Sequence, residues 1–382
     1  MRTLTTLGWM LGAVAASALA VGESVARRLT APPGPRTFDL SILDVEIDDG
    51  DVVVVLDRTR QTIARGSYTL LFEVGGWAQL AADVMERGPD RVARRVTKLS
   101  ATRVPAIGDR VSWSGIYYTT PTEADLDAKE VRLSTSAGDA PAWLIDGDSS
   151  GAWAIHIHGM GSPRSGPLRG ARVAAARGYT SLVVTYRNDG DGPWAGRRRS
   201  TLGATEVDDV AVAIRYAVDH GAQRIVLFGW SMGAAIALRL AADPTHSVHV
   251  DSLILESPVL DWIATLKANC VRAGLPAGTG LLAVPWLSLG PLARTLGLPG
   301  PIPLRTLNWI VRARELAKPT LILHGARDDS APLEVSRTLA AIRPDLVQLD
   351  EFDAAHTMTW NSDPERWQAI VSDWLTSRHP ST

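Results

Sequence analysis

Apolar and polar positions along the chain fall into two regimes that meet near residue 120. From about residue 38, short apolar runs broken by turn residues read as a β-rich stretch. Residues 41–47 and 52–56 flank Asp48-Asp49-Gly50-Asp51, a hairpin turn. Residues 68–74, 92–99 and 110–118 read as further strands, and 78–86, rich in helix formers, as one short helix. From about Glu130 onward, fully apolar strand runs alternate with helical periods. The expected strands are 131–134, 142–145, 153–158, 181–186, 225–228, 252–256, 320–324 and 347–349. The expected helices are 168–177, 206–219, 234–240, 333–341 and 364–375. This alternation predicts an α/β fold with a mostly parallel sheet covered by helices on both faces. In such sheets chemistry gathers beyond the carboxyl ends of the strands. The alternation lapses over residues 259–319, where 281–296 is rich in Leu, Pro, Gly and Trp. Pro285 and Pro291 forbid one long helix there, and an insertion at this point predicts a short cap beside the active edge. Its apolar character suits an acyl pocket, with Trp286 as a candidate wall residue.

The N-terminus adds a targeting reading. Arg2 precedes a run without charge from Thr3 to Gly22, and Ala18-Leu19-Ala20 fits a small-x-small cleavage site. The same run is just long enough to serve as an uncleaved membrane anchor. Residues 1–30 are therefore expected to form a signal peptide or anchor, giving a membrane contact through residues 3–22 and a membrane-anchored or exported protein. Residues 31–37, with Pro32, Pro33 and Pro35, read as a linker. The remainder divides into a small β-rich module over 38–120 and an α/β domain over 121–378. Net charge of −2 argues against nucleic acid as a partner. The single cysteine, Cys270, permits no intramolecular disulfide and no cysteine cluster for a metal.

Candidate chemistry centres on Gly229-Trp230-Ser231-Met232-Gly233, between the strand run 225–228 and the helical run from Ala234. Strand, G-x-S-x-G and helix together mark a nucleophile elbow: the serine sits in a strained turn and the following helix offers its N-terminus to developing negative charge. A serine needs a base, and the base an orienting acid. His356, on the loop after the last strand, is the candidate base. Asp328, after the strand 320–324, is the candidate acid, with Asp329 its nearest rival and Asp261 a more distant one. Asp363 reads as a helix cap, and His158 as a brace for its own loop. The oxyanion hole is assigned to the backbone N–H groups of Met232 and of Met160, within His158-Gly159-Met160-Gly161. Gly159 and Trp230 are candidate substrate contacts. The basic run Arg197-Arg198-Arg199 reads as a solvated loop.

The segments G-W-S-M-G, H-G-M-G, H-G-A-R-D-D-S-A-P and the late A-A-H resemble the α/β-hydrolase superfamily over roughly residues 130–378. They look most like its serine-aminopeptidase-like and prolyl-oligopeptidase-like branch, with its many membrane-anchored or exported bacterial hydrolases. The resemblance implies an eight-stranded sheet with one antiparallel strand near its start, a small-molecule acyl substrate, and no cofactor or metal. The β-rich module and the short cap depart from the better-known peptidases. The leading expectation is a serine hydrolase of esters, thioesters or amides. A peptidase of the serine-aminopeptidase type and a non-catalytic, membrane-tethered binding protein remain as alternatives.

Overall fold

Two β-sheets organise the chain, one for each regime of the sequence. The computed structural model describes residues 17–101, 104–148 and 151–378. The first sheet comprises β1 (Leu40–Asp48), β2 (Asp51–Asp57), β3 (Tyr68–Phe72), β4 (Trp77–Leu80), β5 (Met85–Glu86), β6 (Arg91–Leu99) and β7 (Arg110–Ser114). Its order is β2-β1-β7-β3-β4-β6-β5, and β2 also pairs with β6. That extra pairing closes six antiparallel strands into a small barrel, with β5 appended to β6. Alternate residues point inward as the pleat requires: Leu40 and Ile42, Val54 and Leu56, Leu70 and Phe72, Ala78 and Leu80 form the barrel core.

The expected helix over 78–86 is therefore a correction. Ala78 pairs with Leu70, and Leu80 with Tyr68 and Val96. Closing the barrel needs a strand between β3 and β6, and that pairing overrides a weak local preference for helix.

The second sheet carries β8 (Ala128–Thr135), β9 (Gly138–Ile145), β10 (Ala152–Ile157), β11 (Thr180–Val184), β12 (Arg224–Trp230), β13 (Val250–Glu256), β14 (Thr320–Gly325) and β15 (Val347–Phe352). Its eight strands run β15-β14-β13-β12-β10-β11-β9-β8. Only β9 runs antiparallel to its neighbours. The central strand β12 explains why the run 225–228 lacks polar alternation. Ile225 and Leu227 pack on one face, with the helices α3 (Glu206–Asp219) and α4 (Met232–Ala242). Val226 and Phe228 pack on the other, with α2 (Leu168–Ala176) and α10 (Pro364–Arg378). Both faces are buried, so every position is apolar.

The insertion between β13 and β14 forms α5 (Trp262–Arg272), α6 (Val284–Ser288) and α7 (Gly290–Leu296). Pro285 and Pro291 each sit in the first turn of a short helix, where a missing N–H costs nothing. Helices α8 (Leu333–Ile342) and α9 (Thr359–Ser362) follow β14 and β15.

The expected targeting segment lies outside the described residues over 1–16. Residues 17–29 are helical (α1). Ala26 and Thr30 are fully buried, and Val25 and Leu29 pack against the larger core. Three contacts fasten this helix. Trp286 Nε1 donates to the Leu19 carbonyl at 3.1 Å, and Arg27 to that of Thr295 at 3.2 Å. Arg199, from the basic run, donates to the Arg27 carbonyl at 2.9 Å and to Thr30 Oγ1 at 3.0 Å. Among the described residues no helix is long and apolar enough to cross a membrane.

Candidate active site

The elbow follows from steric limits. Ser231 has φ 52° and ψ −113°, a strained conformation for a residue with a side chain. A Cβ on Gly229 would collide with the backbone of Ala234, and one on Gly233 with the Ile157 carbonyl. The motif glycines are thus the only residues that let β12 turn this sharply into α4. The turn lifts the Ser231 hydroxyl above the sheet edge.

His356 Nε2 lies 2.9 Å from Ser231 Oγ, and its Nδ1 lies 2.7 Å from Asp328 Oδ2. Asp328 is fully buried. Its Oδ1 accepts the backbone N–H groups of Ser330 at 2.9 Å and Ala331 at 2.8 Å. Burial opposes ionisation of this carboxyl, but hydrogen bonds from His324 and His356 hold it well below the usual carboxylate range. His324 is itself buried, with Nε2 3.2 Å from Asp328 Oδ2. Motif spacing alone does not single out His324, which lies inside β14. The cue was the i,i+4 spacing to Asp328 across a strand-to-loop turn.

The rival acids are engaged elsewhere. Asp329 is half exposed and faces Arg272 at 3.8 Å. Asp261 caps α5 by accepting from Ile263 N at 2.8 Å. Asp363 accepts from Arg366 N at 3.0 Å, at the start of α10.

Met232 opens α4, where the first amides have no acceptor within the helix. Gly159 and Met160 line the cavity over Ser231, and Gly159 approaches Ser231 so closely that a Cβ there would lie 3.1 Å from the Ser231 Cβ. The Met160 loop is anchored by Gly161 N, which donates to Asp189 Oδ2 at 2.7 Å. His158 Nδ1 lies 2.9 Å from the Gly159 carbonyl, and the ring stacks on Tyr186 with centroids 4.3 Å apart. Burial lowers its pKa, so it remains a neutral brace.

A buried ion pair underlies the whole site. Arg169 on α2 meets Glu256, at the end of β13, at 3.1 Å. Arg169 also donates to the Thr357 carbonyl at 2.8 Å, directly after His356. Glu256 Oε2 accepts the Trp230 indole N–H at 2.8 Å. One pair therefore holds both the elbow and the histidine loop. The sequence reading missed both residues. Glu256 carried a signal, an acid directly after the apolar run Leu253-Ile254-Leu255 of a central strand, but its partner was not visible along the chain.

The cavity over Ser231 has a volume of about 270 Å³. Gly159, Met160, Trp230 and His356 are among its lining residues. Arg36 from the linker, Trp113 from the barrel and Ile116 just after it also line the cavity. The barrel reaches the site because Asn361 on α9 donates to the carbonyls of Ser67 at 2.7 Å and Gly115 at 3.0 Å. Trp286, expected in the pocket, lies away from this cavity, half buried against α1. Among the described residues no cluster of His, Cys, Asp and Glu could hold a metal ion.

An eight-stranded, mostly parallel sheet with one antiparallel strand near its start, carrying a serine at the turn after a central strand, is the architecture of the α/β hydrolases. The profile of the alpha/beta hydrolase family matches residues 147–370, and the chain belongs to that family. It is a hydrolase enzyme. Residues 41–114, the barrel, match a domain of unknown function, DUF8805. The Pyrococcus furiosus esterase Pf2001 superposes with a TM-score of 0.53 at 21% identity, over 68% of this chain and 96% of that one. An α/β serine hydrolase without lid from Xanthomonas campestris gives a TM-score of 0.45 at 15% identity, over 67% and 97%. At 21% identity the likeness to the esterase is one of fold. No curated protein matches the chain by sequence.

Proposed function

We propose that the chain is a serine hydrolase that cleaves a carboxylic ester or thioester through an acyl-enzyme on Ser231. The observation that carries this reading is His356, within hydrogen-bond reach of Ser231 at 2.9 Å and of Asp328 at 2.7 Å. Ser231 Oγ attacks the carbonyl carbon while its proton passes to His356 Nε2. Asp328 fixes the tautomer with Nδ1–H and offsets the positive charge that the ring acquires. The N–H groups of Met232 and Met160 receive the oxyanion. Collapse breaks the bond to the leaving group, which takes the proton from His356. Water then repeats the sequence and releases the acid.

A peptidase of the aminopeptidase type is disfavoured on charge. Such an enzyme needs a carboxylate to receive the substrate ammonium, and the residues lining this cavity include Arg36 and Arg169 but no Asp or Glu. We further propose that the chain works at a membrane or outside the cytoplasm, on the support of the uncharged run Thr3–Gly22.

The test is active-site labelling with a fluorophosphonate, run beside p-nitrophenyl esters. The expected outcome is stoichiometric labelling and ester turnover in the wild type, with both lost in Ser231→Ala. Turnover that survives in Ser231→Ala above about a tenth would overturn the assignment, since losing a nucleophile costs orders of magnitude more.

A further inference from the structure

A second cavity, of about 390 Å³, lies next to the one over Ser231. Met160 lines both. On its far side the walls are Val25 and Leu29 of α1 and Leu266 and Cys270 of α5, with Leu275 beyond. These are apolar groups on two elements that the sequence separates by more than 230 residues. Asn269 is the one neutral polar side chain in the lining, and its groups are already engaged. Its Nδ2 donates to the Thr265 carbonyl at 2.8 Å, and its Oδ1 accepts from Arg272 at 2.5 Å. Arg28 and Arg272, both exposed, stand at the rim, and no carboxylate lines the cavity.

We infer that this cavity is the acyl subsite, and that it takes the linear hydrocarbon chain of a medium-chain acyl ester or thioester. The inference rests on the serine hydrolase reading and adds the substrate class. Continuity at Met160 carries it. An acyl carbonyl held by the Met160 N–H leaves its chain beside the Met160 side chain, and the second cavity opens there. The wall on one side is α1, which precedes the segment matched by the family profile. This subsite is therefore a feature of this chain's own N-terminal segment, and the residues that read as a targeting signal also shape the pocket. Val21 of α1, Val271 of α5 and Leu275 just after it are exposed, apolar surface on the same two elements that suits a substrate drawn from a lipid phase.

The test is a series of p-nitrophenyl esters from acetyl to dodecanoyl on the full chain. In the wild type, kcat/KM is expected to rise about fourfold per methylene until the cavity fills, then to fall. Leu29→Trp and Cys270→Trp obstruct the cavity from two different elements, α1 and α5. In each, the ratio of kcat/KM on the octanoyl ester to that on the acetyl ester should drop at least about tenfold, and the best chain length should shorten. Leu266→Ala should move the best length the other way. Fluorophosphonate labelling counts folded, competent sites in every variant, so a folding defect cannot pass for a lost subsite. A profile of unchanged shape in both Trp variants would overturn the inference. A wild type that hydrolyses the acetyl ester with no gain towards octanoyl would also overturn it, and would leave the serine hydrolase reading standing. A wild type that hydrolyses no ester would remove both.

Discussion

Arg169 and Glu256 form an ion pair at 3.1 Å, 7% and 1% exposed, beneath the candidate catalytic residues. A pair so deeply buried is not a large net source of stability, because both ions have left water. Its use is positional. Arg169 grips the carbonyl after His356, and Glu256 grips the indole before Ser231, so two distant loops share one fixed reference. Breaking the pair strands a charge. Glu256→Gln should therefore lower unfolding free energy by about 3–5 kcal/mol. Denaturant unfolding measures it, and a loss under about 1 kcal/mol would mean that Arg169 finds its compensation elsewhere.

The geometry at Asp328 separates it from its neighbour. Asp328→Asn should reduce kcat by about 10³–10⁴ through loss of the orienting acceptor for His356 Nδ1–H. Asp329→Asn, at a half-exposed side chain facing Arg272, should change kcat by less than about threefold, in line with the small worth of exposed pairs. Steady-state ester kinetics on the two variants decide it, and the opposite ranking would move the acid to Asp329.

Stability should fall as the solution is acidified from neutrality. His156 is fully buried against the Phe228 and Trp230 rings, and burial drives its pKa down to about 3. In the unfolded chain it protonates near 6.5. Between these values the unfolded state binds the extra proton, so each step towards acid favours unfolding. Asp328 adds to this below about pH 4, where the unfolded carboxyl protonates and the folded one does not. Unfolding free energies measured from pH 7 to pH 4 should show a steady decline that is shallower in His156→Gln. Equal slopes would mean that His156 is not kept neutral.

Helix α1 gives a prediction at the N-terminus. Removing residues 1–20 leaves Ala26, Leu29 and Thr30 in place and should leave the melting temperature within a few degrees. Removing 1–30 exposes the core under Ala26 and Leu29 and strands the Arg199 donors, so it should lower stability by several kcal/mol. Thermal melts of the two truncations test this, and equal melting temperatures would show α1 to be dispensable.

Much of the site was legible because its constraints are local. The elbow needs small residues two positions either side of Ser231, and that requirement is written as G-x-S-x-G. The parallel sheet was legible because strands buried on both faces must be apolar throughout. The six-stranded barrel was half legible. Most of its short strands stood out, but β4 reads locally as helix, and only its partners on both sides make it a strand. The cap was visible as a lapse in the pattern, and its proline breaks fell where expected. Which wall of the cavity it forms was not visible, since Trp286 turned to Leu19 at 3.1 Å and away from Ser231.

The sequence by itself determined the order of elements in the α/β domain, the turn at Ser231, and the presence of a histidine and an acid on the loops after late strands. Each follows from steric or hydrophobic rules that act within a few residues. Tertiary structure alone decided that Arg169 and Glu256 meet, that Asp328 carries the hydrogen bond to His356 while Asp329 faces Arg272, and that the barrel and α1 wall the two cavities. These are contacts between residues tens to hundreds of positions apart. A charge buried by folding has to find its partner wherever packing puts one, and no periodicity along the chain records that distance.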